Sequence, residues 1–298
     1  MGQPYASILI PTRDPGPVIS AVLESVCAQQ SDFAYEVLIV DSGSAESDLA
    51  RMRRFPVHLS AIAPAEFRHG RTRNLLASRA RGEMLLFLSQ DAEPASTDWM
   101  RTLVEPLRQA RVAGAYARQI PRPDADPLMR FFLDETYGPR PARRLFARGD
   151  RLEISDMFFS NVSSAIRREV WQNIPFRDDV LMSEDQYWAC DALRAGYELA
   201  YQPTARVLHS HHYSLVALFR RNRLSGRSLA GLIADSPTRI VWRGVHYVAR
   251  EVASLARQGR LDLVPYMLLY ELVKSVGFAW GSLEGTPQRH VSNVGEPA

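Results

Sequence analysis

The chain has 298 residues, of which 46% are hydrophobic and 23% charged, a balance that excludes a disordered or fibrous polymer and fits one large domain with a helical appendage. The net charge of +3 is uneven: residues 1–213 carry 25 basic and 27 acidic side chains, residues 214–298 carry 11 and 6, and Lys274 is the only lysine. Two cysteines, Cys27 and Cys190, exclude a disulfide framework and lack metal-type spacing, which fits free thiols in a reducing cytoplasm.

The opening MGQPYASILIPTRD has no basic region followed by a long apolar run, so no secretory signal is expected. Residues 6–11 (ASILIP) read as a buried strand, and helical spacing of Val18, Val22 and Val26 follows over 17–29. Residues 36–40 (EVLIV) are a second buried strand, stopped by Asp41-Ser42-Gly43-Ser44. A short helix over 48–54, a strand over 57–62, a helix over 70–81 closed by Gly82 and a strand over 84–88 (MLLFL) come next. The spacing then predicts a helix over 97–109 and a strand over 112–119. From 124 to 152 the pattern loosens into a long loop with short helices. Strands over 158–167 and 198–208 flank a helix over 184–195, and beyond His212 the chain reads as helices over 215–233, 242–257 and 262–280. The apolar stretch from Leu263 to Leu283 is broken by Glu271 and Lys274, short of the roughly 20 apolar residues a spanning helix needs.

Strands apolar on both faces that alternate with helices predict an α/β fold, a mostly parallel sheet covered on both sides. Such sheets bind ligands at the carboxyl ends of their strands. Three polar clusters fall there: Thr12-Arg13-Asp14, Asp41-Ser42-Gly43 and Gln90-Asp91-Ala92. Neither G-x-G-x-x-G nor G-x-x-x-x-G-K-[ST] occurs, which disfavours a dinucleotide fingerprint and a P-loop.

Asp91, at a strand end, has the chemistry to hold Mg2+ or Mn2+ against a diphosphate, although an ordinary turn carboxylate looks the same in sequence. Ser183 and Gln186 have capping-box spacing, which puts Glu184 and Asp185 in the first turn of a helix. There a carboxylate either balances the helix dipole or serves as general base. His209, His211 and His212 follow a strand, and alternation places His209 and His211 on one side of it as candidate metal ligands. Arg68 to Asn74 opens a helix with several cationic and donor groups suited to phosphate.

Together these segments resemble the family 2 glycosyltransferases of the GT-A fold over about residues 5–213, and within them the bacterial rhamnosyltransferase-like members. The likeness is carried by Ile8 to Arg13, Val37 to Ser44, Phe67 to Asn74, Leu86 to Ala92, Ala117 to Ala125, Glu184-Asp185, Ala195 to Tyr197 and Leu208 to His211. It implies that Pro11, Thr12 and Arg13 line the base and ribose pocket, with Gln90 and Asn74 also on the nucleotide sugar. It implies that Asp41 bonds the pyrimidine edge, that Arg73 approaches the diphosphate and that Asn161 sits near donor or acceptor. Asp91 is implied as metal ligand with His209 and His211, Asp185 as base and Glu184 as its support. The family's acidic pair at the metal is here Gln90-Asp91-Ala92, with one carboxylate remaining.

The expected protein is a metal-dependent inverting glycosyltransferase moving a sugar, with rhamnose the candidate, from a dTDP- or UDP-linked donor. The acceptor would be a bacterial surface glycan or a lipid-linked precursor. The rival is a sugar-nucleotide-binding scaffold of weak or no activity, motivated by the missing acid. A nucleotidyltransferase would need a glycine- and lysine-rich phosphate loop, which is absent. The basic segment 214–298, a separate helical extension, suggests peripheral contact with the inner face of the cytoplasmic membrane rather than with nucleic acid.

Overall fold

The computed structural model describes residues 3–145, 156–232 and 237–285. The chain divides into two compact units, Met1–His212 and Tyr213–Ala298.

In the first unit, parallel strands β1 (Ala6–Thr12), β2 (Tyr35–Asp41), β3 (His58–Ala61) and β4 (Met84–Leu88) line up in the order β3-β2-β1-β4. They are joined by helices α1 (Val18–Cys27), α2 (Glu46–Met52) and α3 (His69–Arg79). The continuous apolar runs follow from burial on both faces: every residue of β4 is buried, as are Ile8, Leu9 and Ile10 of β1. Each such aliphatic side chain contributes about 1.5–3 kcal/mol on leaving water.

The chain then forms β5 (Glu93–Pro94), α4 (Trp99–Val104), β6 (Val112–Ile120), α5 (Pro127–Thr136), β7 (Ala142–Arg144), β8 (Ser163–Arg167), α6 (Arg168–Asn173), α7 (Glu184–Arg194) and β9 (Glu198–Leu208). The sheet continues from β4 as β8-β6-β9-β5, with β7 also on β9. Here the parallel expectation needs refinement. β8 runs antiparallel to both β4 and β6, and β5 and β7 antiparallel to β9, whereas β6 and β9 are parallel to each other. The chain re-enters the sheet on the edge where β6 ended, so β8 starts there and runs backward.

This topology gathers one edge. Thr12 pairs with Asp41, Leu88 with Ser163 and Ile120 with Leu208. The ends of β1, β2, β4, β6 and β9 and the start of β8 therefore share a rim.

The helix expected over 97–109 is α4 followed by a 3-10 turn over Glu105–Arg108, where Pro106 cannot donate the next helical hydrogen bond. The loop expected over 124–152 contains α5 and β7, and its residues 146–155 lie outside the described residues. Cys190 is buried and Cys27 half-buried, both free thiols.

The second unit holds α8 (Leu215–Leu229), α9 (Pro237–Arg257) and α10 (Val264–Glu284). α8 and α10 meet through glycines: a Cβ on Gly281 would lie 1.8 Å from the Arg223 carbonyl oxygen, and one on Gly226 2.1 Å from that of Phe278. Arg223 and Glu284 add a two-pronged ion pair at 2.9 and 2.6 Å. Among the described residues no helix is long and apolar enough to cross a membrane.

Candidate active site

The ends of β1, β2 and β4 lie side by side at this rim. Asp41, 2% exposed, accepts from the Thr12 hydroxyl at 3.1 Å and the Ser44 hydroxyl on one oxygen. Its other oxygen accepts from the Gly43 and Ser44 backbone N–H groups, each at 2.9 Å. Burial opposes the Asp41 charge, but these donors prevail and hold its pKa below the usual range. Asp41 thus shapes the turn after β2, and a base would have to share it with four donors. The turn after β1 is anchored just as locally. Gln90 accepts from the Arg13 backbone N–H at 2.7 Å and donates to the Arg13 carbonyl at 3.0 Å, while Ser44 Oγ accepts from Asp14 N–H at 2.7 Å. That support holds Asp14 at a φ of 43°, a left-handed conformation unusual for a residue with a side chain. Pro11 is half-buried, and the Arg13 side chain is exposed.

At the end of β4, Asp91 meets the two histidines that follow β9. His209 Nε2 lies 3.5 Å from Asp91 Oδ1 and His211 Nδ1 3.7 Å from Oδ2, with one ligand atom from each residue within 4.8 Å of the others. Burial again opposes the Asp91 charge, and the two imidazoles overcome it, bringing the pKa to about 2. Arg122 ties the segment down by donating to the Asp91 carbonyl at 2.7 Å and pairing with Glu93 at 3.3 Å. One carboxylate and two imidazoles form a mixed oxygen and nitrogen donor set that fits a divalent transition ion better than Mg2+.

The acidic pair opens α7. Glu184 is 4% exposed and bonded by Arg73 Nη1 at 3.0 Å and by Asn161 Nδ2 at 3.3 Å. Asp185 accepts from Asn161 N–H at 3.1 Å and Gln186 N–H at 2.9 Å. Burial and the adjacent Glu184 charge push Asp185 up to about 7, while Arg73 and His69 outweigh burial at Glu184 and hold it low. Their environments therefore push the pKa values of the two neighbours apart. The expected capping box is not formed. Ser183 sits at a φ of 66° and makes no side-chain cap, because a capping hydroxyl reaches the first-turn N–H groups from extended backbone, not from a left-handed one.

Two residues of α3 expected at the nucleotide sugar are engaged within the protein. Arg73 is 6% exposed and its charge faces Glu184, because a buried carboxylate needs a counter-charge. Asn74 has all its hydrogen-bonding positions taken. It donates to the Phe176 carbonyl and Asp178, and accepts from Trp171 Nε1 and Phe176 N–H, all within 3.0 Å. It is a brace between α3 and the segment before α7. Arg68 and Arg71 stand exposed on the same helix start.

Comparisons with known proteins give the family and the fold. Residues 7–174 match the family described as glycosyl transferase family 2. The chain belongs to that family. This family 2 chain is 29% identical over 285 residues to the O-antigen chain rhamnosyltransferase RfbN of Salmonella typhimurium, covering 92% of this chain and 88% of that one. It is also 29% identical to WbaN of Salmonella anatum, likewise named an O-antigen chain rhamnosyltransferase, over 74% and 70% of the two chains. Among solved structures, it resembles the mannosyltransferase PcManGT from Pyrobaculum calidifontis in complex with GDP-Man and Mn2+. The TM-score is 0.63 at 18% identity, over 94% and 88% of the chains. S. aureus TarS 1–349 in complex with UDP-GlcNAc aligns with a TM-score of 0.55 at 13% identity, over 94% and 90%. The fold is that of GT-A glycosyltransferases.

Sequence reasoning gave no role to Gln119, Tyr137 or Ser160, which are buried behind His209. The one signal was Gln119's place in the 117–125 segment that resembles the rhamnosyltransferase-like members. Its partner lies 90 residues away, and only the parallel pairing of β6 and β9 brings them together.

Proposed function

We propose that this chain is an inverting glycosyltransferase that moves rhamnose from a dTDP- or UDP-linked donor to a hydroxyl of a growing bacterial surface glycan, free or lipid-linked. Kinship to two O-antigen chain rhamnosyltransferases supports the sugar and acceptor class. The observation that carries the mechanism is Asp185, a carboxyl whose pKa of about 7 suits a general base at neutral pH. Asp185 takes the proton of the acceptor hydroxyl. That oxygen bonds to the anomeric carbon as the bond to the nucleoside diphosphate breaks on the opposite face, so the configuration inverts. Glu184, fixed by Arg73 and Asn161, keeps the negative field that raises Asp185. The loops carrying Pro11, Thr12, Arg13, Asp41 and Gln90 hold the nucleoside.

Asp91, His209 and His211 are the residues that would hold Mn2+ or Mg2+, and such an ion supplies positive charge for a departing diphosphate. Three ligand atoms converge without an acid at position 90, which supports the enzyme reading over the scaffold one. The extension 214–298 is proposed to rest on the inner face of the cytoplasmic membrane.

The decisive test is Asp185→Asn. Transfer should fall below detection while nucleotide affinity persists; near-wild-type turnover removes Asp185 from the role. The wild-type rate should decline as pH drops through about 7, because Asp185 then keeps its proton. A raised carboxyl pKa favours the fold while protonated and penalises it once ionised. Asp185→Asn should therefore raise the melting temperature more at pH 8 than at pH 5.

A further inference from the structure

We propose that Gln119 is a positioning residue that fixes the tautomer of His209 and thereby sets the affinity of the Asp91, His209 and His211 group for a divalent cation. The inference rests on the metal reading of that group. Gln119 occupies the next-to-last position of β6 and is 6% exposed, so its amide must find partners inside the protein. Its Nε2 donates to the Tyr137 hydroxyl and to Ser160 Oγ, the latter at 3.1 Å. The amide nitrogen has two hydrogens, and both are committed. Oε1 is therefore the atom that faces His209 Nδ1, at 2.8 Å.

An oxygen accepts only. Nδ1 of His209 must then carry a ring hydrogen, which leaves Nε2 as the nitrogen that gives up any proton shared with Asp91 and offers its lone pair when a cation binds. Nε2 is the atom 3.5 Å from Asp91 Oδ1. The lone pair thus points where His211 Nδ1 and the Asp91 carboxylate already converge. Without an acceptor at Nδ1, the neutral ring places its hydrogen on Nε2, toward Asp91, and blocks the ligand position. Tyr137 and Ser160 matter because their hydroxyls, while they accept from the amide nitrogen, keep Oε1 turned to Nδ1. If the amide turned over, its NH2 would face Nδ1 and force the blocking tautomer.

The same chain reaches the acidic pair. Ser160 precedes Asn161, whose N–H and amide hold Asp185 and Glu184. One buried hydrogen-bonded run therefore supports both halves of the site, and Gln119 is its junction.

The test uses the full chain as wild type, Gln119→Met, Gln119→Glu and Tyr137→Phe. Mn2+ affinity is read from the electron paramagnetic resonance signal of free Mn2+, and the His209 tautomer from NMR of nitrogen-labelled histidine in the metal-free protein. Met fills the volume but accepts nothing, so affinity should fall roughly 10- to 100-fold and the ring hydrogen should move to Nε2. Glu still accepts from Nδ1 and should restore both wild-type affinity and the Nδ1–H tautomer. Tyr137→Phe unpins the amide without touching His209 and should give a smaller loss with a mixed tautomer. Thermal melting identifies any variant that fails to fold, and Tyr137→Phe then decides. Wild-type affinity in Gln119→Met, equal losses in Gln119→Glu and Gln119→Met, or a tautomer indifferent to position 119 overturns the role of Gln119. Wild-type protein that leaves the free Mn2+ signal unchanged overturns the cation reading itself.

Discussion

Gln90 replaces the acidic residue that the family's pattern leads one to expect, and its geometry gives the reason. Its side-chain amide matches a peptide group, so it can accept from and donate to the Arg13 backbone at once. A carboxylate has no hydrogen to give and would repel the Arg13 carbonyl. On the proposed reading, the departure exchanges charge beside the cation for order in the loop after β1. Gln90→Asp restores the familiar acidic pair but loses the donated bond outright and, being one methylene shorter, draws back from the Arg13 N–H as well. Two partly exposed hydrogen bonds together stabilise by about 1–2 kcal/mol, so nucleotide affinity should fall roughly 5- to 30-fold. Isothermal titration of the nucleoside diphosphate checks this; tighter binding in Gln90→Asp would show that the acid is simply missing.

At the scale of elements, α3 is placed by two residues of unlike kinds. Gly70 lets the helix start touch the chain before α7, since a Cβ there would sit 2.2 Å from the Arg177 carbonyl oxygen. Asn74, one turn on, closes the contact with its amide. Asn74→Ala leaves the Trp171 and Phe176 N–H groups without their acceptor and should cost about 2–3 kcal/mol. A lower urea midpoint with an unchanged slope measures it, and an unchanged midpoint refutes the bracing role. The parallel half of the sheet was legible because strands buried on both faces must be apolar throughout. α5 was less so: Asp126 caps it by accepting from Met129 N–H at 2.9 Å, with Pro127 at its first position, a start signal that the neighbouring prolines made look like loop. The direction of β8 leaves no local mark, because strand polarity is decided by where the chain re-enters the sheet. In the site, Asp91, His209 and Asp185 stood out by residue type and position. The links through Asn161 and Gln119 did not, because an amide declares its role only through its distant partners.

At the scale of the whole molecule, the charge that lifts the chain above neutrality lies in residues 214–298. α9 sorts it by face. Val241, Val245, Val248 and Val252 recur at spacings of 4, 3 and 4 along one side, and Arg239, Arg243, His246 and Arg250 do so along the opposite side. Val241 and Val245 are 65% and 56% exposed, and α10 adds exposed Leu269, Leu272, Val276 and Trp280. An exposed apolar stripe on a helix whose other face carries arginines suits the boundary of an anionic bilayer, where each cation near the surface contributes about 1 kcal/mol. The full chain should float with vesicles rich in anionic lipid and much less with zwitterionic ones, and added salt should weaken the attachment. Val241→Asp with Val245→Asp inserts two carboxylates into the stripe and should lower vesicle affinity on the order of tenfold or more. Turnover with a water-soluble acceptor should be unchanged, because both valines lie outside the compact unit Met1–His212 that carries the candidate site. Equal flotation of the double variant would mean that the stripe faces something other than lipid, whatever the fate of the glycosyl transfer.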